Sequence, residues 1–325
     1  MARERALGVP GARADAPHQI PWRGWVQIVR RVAARVVADR FAALSAGVAF
    51  FAVLSIAPVL LTALSVYGAV NSPEQARDHL AGVVGVLPPA LGEVLRDQPV
   101  TVTEASTQLL TSRGLLALAV ALGTATTAAA FLIDALTLAY REAETRPLLH
   151  RTGLALAFVL GGAVVVGTVI AGTAQVSRAL AGAPGWLRTL ALAAAWVVLA
   201  ALMALALAVL YRFAPDRHGR AKWRWVSGGA AVTTLLWLAV SAGLFAYVQR
   251  LGTYERMYGS LAGVAISMLW LWLTVLLVAL GAAVNAEAER QTTRDSTVGA
   301  ERPPGERGAV VADDVPPHPA GPPPG

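Results

Sequence analysis

The chain has 325 residues, 56% of them hydrophobic and only 14% charged, where a soluble domain carries about 25% charged residues. It has no cysteine, which excludes disulfides, thiolate metal sites and cysteine nucleophiles, and its five histidines (His18, His79, His150, His218, His318) are too dispersed for a clustered-His metal motif. The formal charge of +7 rests almost wholly on arginine, since Lys222 is the sole lysine; such basicity suits either nucleic acid or a membrane surface, and its placement decides between them.

Residues 1–21 read as a disordered N-terminus. Residues 22–40 form a basic amphipathic helix. Trp22, Trp25, Val29, Val32, Val36 and Val37 share one face, while Arg23, Gln27, Arg30, Arg31 and Arg35 lie mainly elsewhere. A helix of this kind is suited to the headgroup region, and Trp22, Trp25, Arg23, Arg30, Arg31 and Arg35 are expected to contact an anionic lipid surface. The same stripe could instead pack on the end of a helical bundle.

Six charge-free runs follow. Arg40 to Glu74 encloses 33 residues, Arg113 to Asp134 encloses 20, Arg151 to Arg178 encloses 26, Arg188 to Arg212 encloses 23, Arg224 to Arg250 encloses 25 and Arg256 to Glu287 encloses 30. A spanning helix needs about 20 mostly apolar residues to cross a hydrocarbon core about 30 Å thick. These runs are apolar on all faces, which excludes the alternating strands of a barrel. The expected fold is therefore an all-α polytopic membrane bundle of six transmembrane helices, at about 41–70, 115–140, 153–177, 188–211, 225–249 and 260–286. Basic residues number 20 before span 1, in loops 2–3 and 4–5 and in the tail, against seven in the other three loops. By the positive-inside rule both termini are cytoplasmic. The long charged leader argues against a cleaved signal peptide.

Residues 71–112 read as a small helical cap over the outer surface, with Ser72-Pro73-Glu74 resembling a helix start. Residues 291–325 shift to Pro, Gly and charge and read as a disordered cytoplasmic tail.

Few residues in the spans carry chemistry. Asp134 is the one ionisable residue expected inside a span; it is either an anchor paired with another helix or part of a proton or ion relay, and Arg141 is too distant to be its direct partner. Pro58 should kink or break span 1, with Ser55 near one turn earlier helping to satisfy the freed backbone. With Thr127 on the Ser/Thr-bearing second span, these residues are candidates for a substrate or ion path. Small residues recur at Ser45-Ala46-Gly47, Gly161-Gly162, Gly167, Gly259 and Gly263, as close-packing faces. No catalytic residue, metal site or cofactor is expected. The carboxylates and histidines near the loops (Glu142, Glu144, His150, Asp216, His218) are scattered, and the tail is net negative, which argues against nucleic acid.

Several ordered motifs resemble the YihY/BrkB family of bacterial inner-membrane proteins over residues 22–290. They are Asp39-Arg40-Phe41 through Pro58; Tyr140-Arg141 to Arg146-Pro147; Tyr211-Arg212-Phe213-Ala214-Pro215-Asp216; and Tyr258-Gly259 with Gly281-Ala282-Ala283-Val284-Asn285. The family usually has Gly-Ala-Glu before that Asn, and Ala283 takes the Glu position here. The resemblance implies six spans in the bacterial cytoplasmic membrane. Members bear ribonuclease BN or virulence-factor labels. Three functions follow as expectations: a transporter-like protein moving a lipid, small solute or ion; a non-transporting envelope scaffold; and a nuclease, disfavoured because nothing here could hold a duplex. A homo-oligomer is an expected partner state.

Overall fold

The computed structural model describes residues 8–70, 112–250 and 261–314. Helices α1 (Trp22–Ala38), α2 (Phe41–Val70), α3 (Ser112–Ala139), α4 (Leu148–Ala179), α5 (Gly185–Phe213), α6 (Trp223–Arg250) and α7 (Leu261–Glu289) follow in order, with a short α8 (Val310–Asp313) and a 3-10 turn at Pro17–Gln19. Five helices are long and apolar enough to cross a membrane, or up to six when α1 and the start of α2 are taken together. The segment 71–111, expected to form a helical cap, lies outside the described residues, as do Tyr258 and Gly259.

Helix boundaries follow from local chemistry. Pro147 and Pro184 occupy the N-cap positions of α4 and α5 in extended backbone, where a missing N–H costs nothing. Pro215 sits two residues past the end of α5 and prevents its continuation. Helix α3 ends in a Schellman turn: Glu142 N–H donates to Thr137 O at 3.0 Å, Arg141 N–H to Leu138 O at 2.9 Å, and Arg141 has φ 61°. Arg40, between α1 and α2, has φ 53°, and the two helices turn by 65° there. Helix α2 runs unbroken in secondary structure through Pro58, so the expected break is absent, and the side chain of Pro58 lies outside the described residues. The Ser55 hydroxyl donates to Ala52 O at 2.7 Å, not to the carbonyl of Leu54, the i−4 position that Pro58 leaves without its amide partner.

The helices pack in the spatial order α4, α3, α2, α7, α6, α5, with α1 across the end of α7. Polar bonds join α7 to its neighbours: Trp237 Nε1 donates to Thr274 Oγ1 at 3.0 Å, Trp270 Nε1 to Ser241 Oγ at 3.1 Å and Trp272 Nε1 to Ala42 O at 2.9 Å. Phe51 of α2 stacks on Phe131 of α3 with centroids 5.2 Å apart. The ends of the arc do not close. Helices α4 and α5 share the short connection 180–184 yet make no extensive contact. Residues 160–168 of α4 are exposed on every face.

The buried core gathers at one end, where Ile28, Phe41, Leu136, Tyr140, Tyr211 and Trp225 are fully enclosed. The segments read from composition as disordered contribute to it. Val9, Ala12, Ala14 and Ile20 are buried at the N-terminus, as are Gln291, Thr292, Ser296, Thr297, Arg307 and Val311 after α7. Their backbone is satisfied by turns, one short bridge and many side-chain bonds in place of long helix or sheet ladders, which composition does not reveal. Arg307 donates to the carbonyls of Thr293, Arg294, Arg302 and Ala312. Thr292 Oγ1 donates to Ala14 O at 2.7 Å, and Gln291 Nε2 to Pro10 O at 2.7 Å. A two-residue bridge pairs 220–222 with 296–298. The N-terminal segment, loops 141–147 and 214–222 and the strap 290–314 thus lie together at this end.

Candidate functional site

Among the described residues, the buried ion pairs gather at this end of the bundle. Glu287, in the last turn of α7, is fully buried and gathers four guanidinium groups. Arg31 Nε donates to it at 2.6 Å, Arg141 Nη2 at 2.8 Å and Arg290 Nη1 at 2.9 Å, and Arg35 Nη1 lies 3.7 Å away. Arg35, itself buried, also donates to Asp39 at 3.0 Å and to the carbonyls of Ala139 and Leu138, both at 2.9 Å, closing the C-terminus of α3. One carboxylate therefore ties α1, the end of α3 and α7 together.

A second buried pair lies two residues further along α7. Arg217 donates to Glu289 in bidentate fashion at 3.0 and 2.9 Å, and Ser296 Oγ adds a bond at 2.8 Å. Burial works to lower the basicity of Arg217, but the Glu289 carboxylate outweighs it and holds its pKa above the usual arginine value. The guanidinium also lies 4.9 Å from the Tyr140 ring centroid. The two short loops clamp each other: Asp216 accepts the N–H and hydroxyl of Thr145, each at 2.7 Å, and Arg146 donates to Ala214 O at 2.7 Å. Burial would raise the Asp216 pKa, but these bonds from Thr145 outweigh it and hold the group below the usual aspartate range. Glu142 accepts Val310 N–H at 2.8 Å, and burial nonetheless pushes its pKa up.

The resemblance residues that are described serve packing at this end. Tyr211 Oη donates to Val278 O at 2.9 Å and lies 3.0 Å from Thr233 Oγ1. Gly281 faces that pair, and a Cβ there would collide with Thr233 Oγ1 and Tyr211 Oη. Asn285 accepts Gly229 N–H at 2.8 Å and donates to Val226 O at 3.2 Å. Arg212 lies 4.5 Å over Trp223 and donates to Ala221 O at 2.9 Å. Ala283 is fully buried, and the carboxylate that receives the arginines stands one turn later at Glu287.

Pro58 lies outside the described side chains, and each of the other three path candidates has a protein partner. Asp134 forms an ion pair with Arg151 at the start of α4, which makes it an anchor between neighbouring helices and leaves Arg141 to Glu287. Thr127 donates to Gly123 O at 2.8 Å within its own helix, and Ser55 is likewise bonded within α2. Of the expected lipid contacts, Trp22, Arg23 and Arg30 are exposed and Trp25 is partly buried. Arg31 and Arg35 point inward instead, because the Glu287 and Asp39 carboxylates offer them partners that a solvated face does not. The inward face of α1 is Gly24, Ile28, Val32 and Arg35, and its outward apolar stripe is Trp22, Val26, Val29 and Val37. Glu287 and Glu289 are not among the sequence-predicted site residues, because Glu287 marks the boundary of a long apolar run; two acids in the last turn of a span beside an arginine-rich leader are the available signal.

Comparisons with known proteins agree with this architecture. The chain is 29% identical over 293 residues to a UPF0761 membrane protein of Verminephrobacter eiseniae, covering 88% of this chain and 68% of that one. It is 26% identical over 242 residues to a UPF0761 membrane protein of Nitrosospira multiformis, covering 73% and 55% respectively. Over 85 residues it is 32% identical to a Bacillus subtilis protein named putative ribonuclease-like protein YfkH, covering 26% and 30%. The chain thus spans about half to two thirds of the length of the relatives it matches most extensively. No solved structure matches it. The profile of virulence factor BrkB matches residues 32–306, and the chain belongs to that family of membrane proteins.

Proposed function

We propose that this protein handles a lipid, or another solute with an apolar tail, in the bacterial cytoplasmic membrane. In this reading it crosses the bilayer six times, with both termini and the arginine-rich end in the cytoplasm. The observation that carries the reading is the open side of the bundle. Helices α4 and α5 make no extensive contact, residues 160–168 of α4 are exposed on every face, and Leu160, Val164, Trp196 and Val197 are exposed. Apolar surface of this kind in the hydrocarbon is covered by acyl chains or by another protein, not by hydrated ions. The neutralisation of Asp134 by Arg151 and the packed α2–α3 face argue against an ion path there. The arginine bias supports the orientation. The 65° turn between α1 and α2 supports α1 lying in the headgroup layer on its stripe of Trp22, Val26, Val29 and Val37, flanked by Arg23 and Arg30.

The test is reconstitution of the full chain in liposomes, with assays of phospholipid scrambling and ion flux. The expected result is lipid movement above that of empty liposomes, unchanged ion permeability, and no dependence on Asp134→Asn. Rates equal to empty liposomes for every lipid tried would overturn the reading. A second reading, a homo-oligomeric scaffold, draws on the same helix: Gly161, Gly162 and Gly167 of α4 have open space where a neighbour's backbone could approach. Nuclease activity is not proposed, since Glu142, Glu144 and Asp216 are each engaged by Val310, Arg146 and Thr145.

A further inference from the structure

The charges around Glu287 do not balance. Arg31, Arg35, Arg141 and Arg290 meet three carboxylates, Glu287, Asp39 and Asp314. Their donors are unequally used. Arg35 is buried and gives Nε, Nη1 and Nη2 to protein acceptors. Arg31 uses Nε and Nη2, on Glu287 and Gln291. Arg141 donates only through Nη2 to Glu287 among the described residues, and its side chain is 34% exposed. A guanidinium carries five N–H donors in a planar fork. The forks of Arg31 and Arg141 therefore meet on one carboxylate with most of the second still free.

The backbone adds an independent observation. Arg141 sits at φ 61° as the residue that ends α3, a position where glycine is the unstrained choice. An arginine held there points to use of its side chain. Its partner Arg31 is 23% exposed and leaves Nη1 unused among the described residues.

We infer that Arg31 and Arg141, seated on Glu287 and backed by the buried Arg35, form a binding site for a phosphate group at the edge of α1. Phosphate presents several acceptor oxygens and at least one negative charge, which match two converging forks and the unbalanced positive charge. A lipid headgroup and a soluble phosphate compound share this chemistry. The site does not depend on lipid being transported.

The test uses the full chain purified in detergent and incubated with phosphatidylglycerol or phosphatidylcholine, with retained lipid measured by native mass spectrometry. Phosphatidylglycerol should be retained preferentially. Arg141→Gln and Arg31→Gln should each lower retention about tenfold, the usual worth of a lost charge-assisted hydrogen bond. The double variant Arg23→Gln/Arg30→Gln, which removes outward charge only, should stay within about twofold of wild type, as expected of rim charges. Should Arg141→Gln fail to fold, Arg141→Gly removes the guanidinium while relieving the backbone and should show the same loss. Displacement of the lipid by millimolar inorganic phosphate would support a soluble phosphate ligand, and its failure to displace would support a lipid-borne one. Equal retention by wild type and the Arg141 variants, or an equal loss in the outward double variant, would overturn the site. Scrambling is not part of this readout, so failure here is distinct from failure of the proposed lipid handling.

Discussion

The arginine-rich end and the α4–α5 side of this bundle face the same problem of enclosing helices in a membrane and differ in every respect. At the arginine-rich end, Trp225, Tyr140, Tyr211 and the ion pairs of Glu287 and Glu289 are buried together. Across α4, Gly161, Gly162 and Gly167 face open space and the valines between them are exposed. In water such an imbalance would unfold the chain, because exposed apolar surface costs about 25 cal/mol per Å². In a bilayer that cost vanishes, and packing together with polar bonds is what holds helices to one another. Specificity of assembly can then be concentrated at one end, leaving the other helices free to meet lipid.

Substitutions can break this contrast. The largest effect is expected for Arg217→Gln. It leaves Glu289 as an uncompensated buried carboxylate and should cost about 3–5 kcal/mol in reversible unfolding, whereas replacing both partners by apolar residues of similar volume should recover much of it. Gly281→Ala comes next, at about 1–3 kcal/mol, since its Cβ would overlap Thr233 and Tyr211. The matching change Gly167→Ala on α4 meets nothing and should stay within about 0.5 kcal/mol. If the two glycine variants melt alike, the contrast is wrong. Asn285→Ala should cost about 1–3 kcal/mol by leaving Gly229 N–H and Val226 O unpaired.

The smallest effect concerns pH. Asp216 has a depressed pKa in the folded protein, so the stability it contributes is present above the ordinary aspartate pKa and is lost as pH falls through its folded value. Exchange of the Thr145 amide, corrected for its intrinsic pH dependence, should quicken in that acid window in wild type and be pH-independent there in Asp216→Asn. An amide whose protection is unchanged on acidification would show that Asp216 does not hold the loop.

Much of the fold was legible because charge-free runs mark helices whose environment is lipid on most sides, as α4 and α5 illustrate. The stop of α5 at Pro215 is also written locally, since proline cannot continue a helix. The site was not. Glu287 finds its partners 256 residues away at Arg31 and 146 away at Arg141, and no local pattern encodes such pairings. Arg31 and Arg35 were read as lipid-facing because periodicity separates polar from apolar residues but cannot say that buried carboxylates wait on the polar side. The strap 291–314 misled for a related reason. Its Pro- and Gly-rich composition describes a chain unable to form its own core, yet Arg307 and Thr292 fasten it to a core that others supply.

The proposed function places lipid where α4 and α5 separate. Because the chain contains no cysteine, single pairs can be introduced without background, beginning with Val165→Cys on α4 and Val197→Cys on α5. The decisive measurement is the scrambling rate in liposomes before and after these helices are joined by a bifunctional thiol crosslinker. Lipid movement that stops on crosslinking and returns with a reducible linker cleaved is the predicted result. Movement that continues unchanged in fully crosslinked protein would contradict it.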